Sequence, residues 1–277
     1  MDAAVHRPAE TQGREFVNSG ANVEQESAGT FGQEPLEVAD SDPVSVSEGY
    51  ERWAPLYDHT PNPLLACEER YLLPLFLEVR NKRMLDLACG TGRWLEKLTA
   101  QGCESGVGVD CSSAMLRVAA EKEGVAGRLA LAACDHLPFR SAIFDLAICS
   151  FALGHIRDLG SFVLELARVT KSGADVFVSD LHADAYTRGW RVGFRDENSA
   201  VQIEMLPRAG EEIVEAFHAE GFECRTCVPL CLGDSEREIF VRAGKDHSFA
   251  EACQLPAVLI CHFKRLGSPA PVERGSS

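Results

Sequence analysis

The sequence predicts an α/β fold, with a mostly parallel sheet and helices on both of its faces. Three observations lead there. From Arg83 onward, five short apolar runs (MLDLA, GVGVD, RLALAAC, FDLAICS and ADVFVSD) have the length and composition of buried strands. The segments between the first three, WLEKLTAQG and SAMLRVAAEKEG, are amphipathic at helical period, so strands and helices alternate as a parallel sheet requires. A glycine-bearing turn, LDLACGTG over residues 85–92, joins the first strand to the first of these helices.

Taken in order, residues 1–44 are rich in Glu, Gln, Ser, Gly, Ala and Pro. They bury too little apolar surface to offset their ordering entropy and predict a disordered acidic tail. Ser45 and Glu48 have the spacing of a capping box, and Tyr50, Trp53, Leu56 and Tyr57 fall on one helical face. Asn62-Pro63 caps a second helix through LLACEERYLLPLFLEV, which Pro74 should kink or break. After the fourth strand, LGSFVLELARVTKSG reads as a helix stopping at Gly173. Beyond the fifth strand the pattern gives a loop over 181–208, a helix near 209–220, a strand near 222–230, a polar helical stretch near 234–250 and a last strand, PAVLICHF. One domain over 45–266 and a second disordered tail over 267–277 complete the chain, with no internal repeat.

Composition narrows the function. The chain has 277 residues, 45% apolar and 25% charged, which is ordinary for a globular enzyme. Its 27 Lys plus Arg against 42 Asp plus Glu give a net charge of -15, which repels nucleic acid and anionic lipid. The longest apolar stretches, such as Pro256 to Phe263, fall short of the roughly 20 residues that span a bilayer. No basic start followed by an apolar run is present at the N-terminus, so the cytoplasm is the expected compartment. Eleven cysteines, an odd number in a long chain of this kind, are expected to be reduced and mostly small core fillers. The densest group, Cys224, Cys227 and Cys231, is spaced along a strand and cannot converge on one tetrahedral ion, so no metal is expected.

The turn carries the chemistry. Gly90 and Gly92 let the backbone bend sharply and approach a ligand, and the helix that follows offers its N-terminus to an anion, which suits a nucleotide-type cofactor. A dinucleotide fingerprint G-x-G-x-x-G fails: from Gly90 its third position is Leu95, and from Ala88 the pattern breaks at Arg93.

With those residues in view, the region from Tyr50 to about Gly173 resembles the class I S-adenosylmethionine-dependent methyltransferases, the broad group that includes ubiquinone/menaquinone C-methyltransferases and malonyl-carrier-protein O-methyltransferase. Four motifs match in order. LDLACGTG resembles the family's D-x-G-x-G-x-G, with Asp86 as its acid, Ala88 in place of the first glycine, and Cys89 and Gly90 following. Asp110, ending the second strand, is implied to accept from both ribose hydroxyls, and SSAMLRVA after it implies Cys111 and Met115 beside the adenine. CDHLPF implies that Asp135 accepts from the adenine amine while the backbone of His136 faces the ring. FDLAICSFALGHIRDL resembles the fourth-strand motif and implies Ser150 and Phe151 beside the methionine portion.

The resemblance implies a Rossmann-like fold with a mostly parallel, seven-stranded sheet, S-adenosyl-L-methionine as methyl donor and S-adenosyl-L-homocysteine as product, with no metal. Residues 45–80 are similar to the helical cover of such enzymes, in which Tyr50 and Tyr57 would close over the sulfonium and reach the methionine carboxylate. The implied reaction moves a methyl group to O, C or N of a small molecule by in-line displacement. His155 and His182, just past the fourth and fifth strands, are the candidate general bases. Tyr186, Trp190, Arg191 and Arg195 in the 181–208 loop are the candidate acceptor-facing residues. A thiol or arsenic methyltransferase, and a cofactor-binding regulator without catalysis, are the alternatives. Neither nucleic acid nor membrane insertion is expected, and the sequence sets no oligomeric state.

Overall fold

The computed structural model describes residues 42–76, 78–196 and 199–267. The two expected tails lie outside these residues, apart from 42–44 and 267. Among the described residues, nine strands and nine α-helices alternate much as the apolar pattern predicts. β1 (Arg83–Leu87), β2 (Ser105–Asp110), β3 (Leu129–Leu131), β4 (Phe144–Ser150) and β5 (Thr170–Leu181) pair in parallel. β9 (Pro256–Arg265) runs antiparallel between β5 and β8 (Phe222–Cys231), giving a seven-stranded sheet in the order β3-β2-β1-β4-β5-β9-β8.

The near-continuous apolar runs have a direct cause, since both faces of the sheet are buried. Along β4, Leu146 and Ile148 join one core while Ala147 and Cys149 join the other. Helices supply the other half of each core. α3 (Arg93–Ala100) packs Trp94, Leu95 and Leu98 on one face, and α5 (Leu159–Val169) packs Phe162, Val163 and Leu166 on the other. None of the helices among the described residues is long and apolar enough to cross a membrane.

Several expectations need correction. The α5 helix ends at Val169, not Gly173, because Thr170 already pairs with Phe144 as the start of β5. A β-branched residue with a strand partner outweighs the glycine as a stop signal. α1 (Val46–Trp53) is capped by Ser45 as expected, but Leu56 lies beyond it and is 41% exposed, the chain having turned at Pro55. α2 (Pro63–Leu72) starts at the Asn62 cap and gives way to a 3-10 turn at Leu73–Leu75, where Pro74 sits.

The 181–208 segment is not a loop. It holds α6 (Ala183–Thr187) and a two-stranded hairpin of β6 (Gly193–Arg195) and β7 (Ala200–Gln202). Trp53 of α1 stacks on Phe194, and Val192, Val201 and Ile203 close a small third core with it. Gly49 makes this approach possible, because a Cβ there would lie 2.5 Å from Ile203 Cγ1. Val44, assigned by composition to the tail, bridges to Ile203 and accepts from Glu204 N.

The thiols are not all reduced. Cys227 and Cys261 face each other across β8 and β9, with Cα atoms 4.0 Å apart, and form a disulfide. Spacing within the 224–231 group could not reveal this, because the partner lies 34 residues away on the adjacent strand. After β8 comes the polar helical stretch, as a 3-10 turn at Asp234–Glu236, α8 (Arg237–Arg242) and α9 (Asp246–Ala252).

Candidate active site

Strand order reverses between β1 and β4, which opens a crevice at the carboxyl ends of the parallel strands, where open α/β sheets bind ligands. A cavity of about 480 Å³ lies there, floored by the strand ends and covered by α1. It has the size of a small-molecule site.

The first strand end supplies Asp86, Ala88, Cys89 and Gly90. Asp86 is 2% exposed and its Oδ2 accepts from Leu95 N at 3.1 Å, tying the turn to the first residues of α3. Burial pushes its carboxyl up to about 7, against the pull of that backbone donor and of Arg93. Gly90 has φ +54 and a Cβ there would touch nothing within 4 Å, so its backbone stands open to the cavity. Two non-glycine residues also take left-handed conformations at strand ends lining it: Ala88 at φ 50 and Phe151 at φ 52. Each costs about 1 kcal/mol, and such strain concentrates at ligand sites.

The raised Asp86 carboxyl has a testable consequence. Between the ordinary carboxylate range and about pH 7 the native protein holds a proton that the unfolded chain has released, so stability falls as pH rises, at up to ~1.4 kcal/mol per pH unit. Asp86→Asn, which keeps an oxygen for Leu95 N, is expected to flatten that slope in urea melts of the ligand-free protein between pH 5 and 8. An unchanged slope would show that Asp86 stays ionised.

Asp110, 8% exposed at the end of β2, accepts from Gly90 N at 2.8 Å and Ser112 N at 2.7 Å, so it locks two strand-end turns together. Burial raises its carboxyl while these donors hold it down. Cys111, Met115, Cys134 and Asp135 complete this end of the cavity. His136 does not join them: its side chain is 87% exposed beside Asp135, and its backbone N–H donates to Ala133 O.

At the other end, Ser150, Phe151 and His155 meet Tyr50 and Tyr57 of the cover. The Tyr50 hydroxyl lies 2.9 Å from His155 Nε2, and His155 Nδ1 lies 2.9 Å from Glu204 O. A carbonyl can only accept, so Nδ1 carries the proton and Nε2 accepts from Tyr50. Burial lowers the imidazole's pKa, favouring this neutral form, and raises the Tyr50 phenol well above its ordinary value. Tyr57 is pushed up to about 12 by burial, opposed by Arg93.

Beneath these residues lies a polar network that the sequence did not single out. Glu68 of α2 is 0% exposed; its Oε1 accepts from Ser179 Oγ, and its Oε2 from Trp94 Nε1 at 3.2 Å and from Arg93 Nη2. Arg93 Nη2 also donates to Ser150 Oγ at 2.9 Å. Arg93 follows Gly92 directly, where its side chain breaks a dinucleotide pattern. An arginine just past the glycine turn was the available signal.

His182, Tyr186, Trp190, Arg191 and Arg195 do not line this cavity. His182 caps α6, its Nδ1 accepting from Asp184 N at 3.1 Å, and borders a separate groove. Trp190 is 4% exposed in the core. Arg191 lies over the Tyr186 ring and donates to the carbonyls of Tyr186 and Trp190, while Arg195 is in β6. As a loop, 181–208 would offer all these side chains to a ligand; the folded segment instead engages His182, Tyr186, Trp190 and Arg191. Among the described residues no group of three or more His, Cys, Asp or Glu is arranged to hold a metal.

Comparison with known proteins bears on family and fold. Residues 85–178 match the family model described as a methyltransferase domain. The chain is 34% identical over 149 residues to the demethylmenaquinone methyltransferase of Thermobifida fusca, covering 51% of this chain and 63% of that protein. It is 30% identical over 190 residues to the ubiquinone biosynthesis O-methyltransferase of Hahella chejuensis, covering 64% of this chain and 75% of that one. The first of these matches therefore spans less than two thirds of the relative's length. Among solved structures, an S-adenosylmethionine-dependent methyltransferase from Mesorhizobium loti superposes with a TM-score of 0.56 at 21% identity, over 72% of this chain and 98% of that one, a likeness of fold.

Proposed function

The chain belongs to the class I S-adenosylmethionine-dependent methyltransferases, and on that premise we propose that it transfers a methyl group from S-adenosyl-L-methionine to O, C or N of a small-molecule acceptor. The observation that carries this reading is the shared cavity, in which the strand-end motif residues lie opposite the Tyr50–His155 pair. The residues present suit the donor. Gly90 leaves an open backbone cradle and Asp110 offers carboxylate lone pairs for ribose hydroxyls. Met115 and Cys111 would flank the adenine, Asp135 would accept from its amine, and Ser150, Phe151 and Tyr57 would border the methionine portion; all of them line the cavity. Bound there, the sulfonium supplies an electrophilic methyl and a neutral thioether leaving group.

The protein's own part is alignment, exclusion of water and management of one proton. An acceptor X–H near the pair gives its proton to the Tyr50 oxygen as Tyr50 passes its own to His155 Nε2. The imidazolium formed keeps its Nδ1–H on Glu204 O, which stabilises the added charge. Because the phenol's pKa is so high, Tyr50 serves as a relay and holds no standing negative charge. Both relatives are named for quinone methylation, which favours a small aromatic acceptor with an acidic O–H or activated C–H.

Binding tests the reading first. At 100 times Kd the donor or its demethylated product adds about 2.7 kcal/mol, which is expected to raise the melting midpoint by roughly 5–10 °C. Asp110→Ala should remove most of that shift, and NADH should give none. Protection by NADH without protection by S-adenosylhomocysteine would return the site to a dinucleotide. Methylated product, identified by mass after incubation with labelled donor and metabolite fractions, then names the acceptor.

A further inference from the structure

We infer that Asp180 is the positioning residue of the Tyr50–His155 pair, an inference that rests on the proton relay just proposed. His155 ends a single 3-10 turn, Leu153–His155, that leaves β4. Behind that turn stands the carboxyl end of β5, where Asp180 is 5% exposed and does not line the cavity. Its Oδ2 accepts from Gly154 N at 2.6 Å and its Oδ1 from Leu181 N at 2.7 Å. Gly154 directly precedes His155, and its carbonyl accepts in turn from Leu206 N at 2.7 Å. Gly154 therefore ties β5 to the 204–206 segment, whose Glu204 O holds His155 Nδ1 at 2.9 Å. A Cβ at Gly154 would lie 2.6 Å from Met205 Cε and 2.8 Å from its Cγ, so this close approach depends on glycine.

A carboxylate this buried is costly unless its lone pairs are met, and here two backbone N–H groups meet them, with no cation in hydrogen-bond reach among the described residues. The ionisable groups around it are Glu68 of α2, Cys149 of β4, Tyr50 of α1 and Arg208. Arg208 is engaged elsewhere: Nη1 donates to Glu212, and Nη2 to the carbonyls of Ile156 and Arg157 at 2.7 and 3.1 Å. The chain is thus gripped on both sides of the imidazole, by a carboxylate before it and a guanidinium after it. Burial lifts the Asp180 carboxyl to about 6, against its two backbone donors and Arg208, so it is ionised at neutral pH. Only the carboxylate offers an oxygen to each N–H; an asparagine amide would meet one and press its NH2 against the other. The Tyr50 phenol is raised by burial first and then by Tyr57 and Asp180, so the same carboxylate helps to keep the relay's proton on Tyr50.

Nitrogen-15 spectra of the histidine side chains in the full chain, at about pH 8, read the tautomer directly, and S-adenosylhomocysteine titrations on the same samples read the donor site. His155 is assigned as the signal lost in His155→Ala. Wild type is expected to show His155 protonated on Nδ1 alone. Asp180→Asn should lose that single form and give a mixture of the two neutral tautomers, with the His262 signal unchanged and the Kd for S-adenosylhomocysteine within about threefold. Gly154→Ala, which presses on Met205 from the same turn, should give the same mixture, and it decides the matter if Asp180→Asn does not fold. A His155 still protonated on Nδ1 alone in either folded variant would overturn the inference while leaving the relay standing. A shift of His262 together with loss of donor binding would overturn it in favour of a general scaffold role. A wild-type His155 protonated on Nε2 would instead remove the relay, and the positioning role with it, whether or not S-adenosylhomocysteine binds.

Discussion

His155→Ala is expected to lower turnover by about 10²- to 10⁴-fold while leaving the Kd for S-adenosylhomocysteine within about threefold. The imidazole reaches the cavity through Tyr50 and is anchored from behind by Glu204 O, so its removal takes away the final proton acceptor and little adenosine contact. Tyr50→Phe should give a comparable loss by breaking the relay. The pH profile supplies the sign: only neutral imidazole accepts, and burial lowers its pKa below the ordinary value near 6.5. Activity should therefore be flat through neutrality and fall only as pH drops below that lowered value. No alkaline limb from Tyr50 is expected near pH 10, because its phenol is raised well above that range. Turnover of His155→Ala within threefold of wild type would show that the acceptor arrives without a proton to lose.

The parts of the fold that were legible in the sequence are those where burial dictates residue type. β1, β2, β4 and β5 are buried on both faces and read as apolar runs, and the glycine turn after β1 marks where the chain must bend next to a ligand. What was not legible depends on pairing between distant segments. The β6–β7 hairpin is only three residues a side and is stabilised by Trp53 on α1, so nothing local announces it. The same holds for Cys227 and Cys261, and for Arg93, whose buried partner Glu68 belongs to a helix read simply as amphipathic. The candidate residues at strand ends line one cavity because the sheet topology places them there. Those on the 181–208 segment do not, because that segment forms structure of its own.

Glu68 is the position where a single change should cost the most stability. A carboxylate with no exposure is tolerable only when its charge and lone pairs are met, and Arg93, Trp94 and Ser179 meet them. Glu68→Ala strands a buried guanidinium, an indole N–H and a hydroxyl at once, and opens space between α2 and α3. The expected loss is about 3–5 kcal/mol, read as a lower urea midpoint at unchanged m. Removing the charge on the other side as well should recover part of it, so Glu68→Leu combined with Arg93→Met is expected to be more stable than Glu68→Leu alone. A Glu68→Ala midpoint within 1 kcal/mol of wild type would mean that water enters beneath the cavity and satisfies Arg93, and that the network stiffens the site without holding the fold.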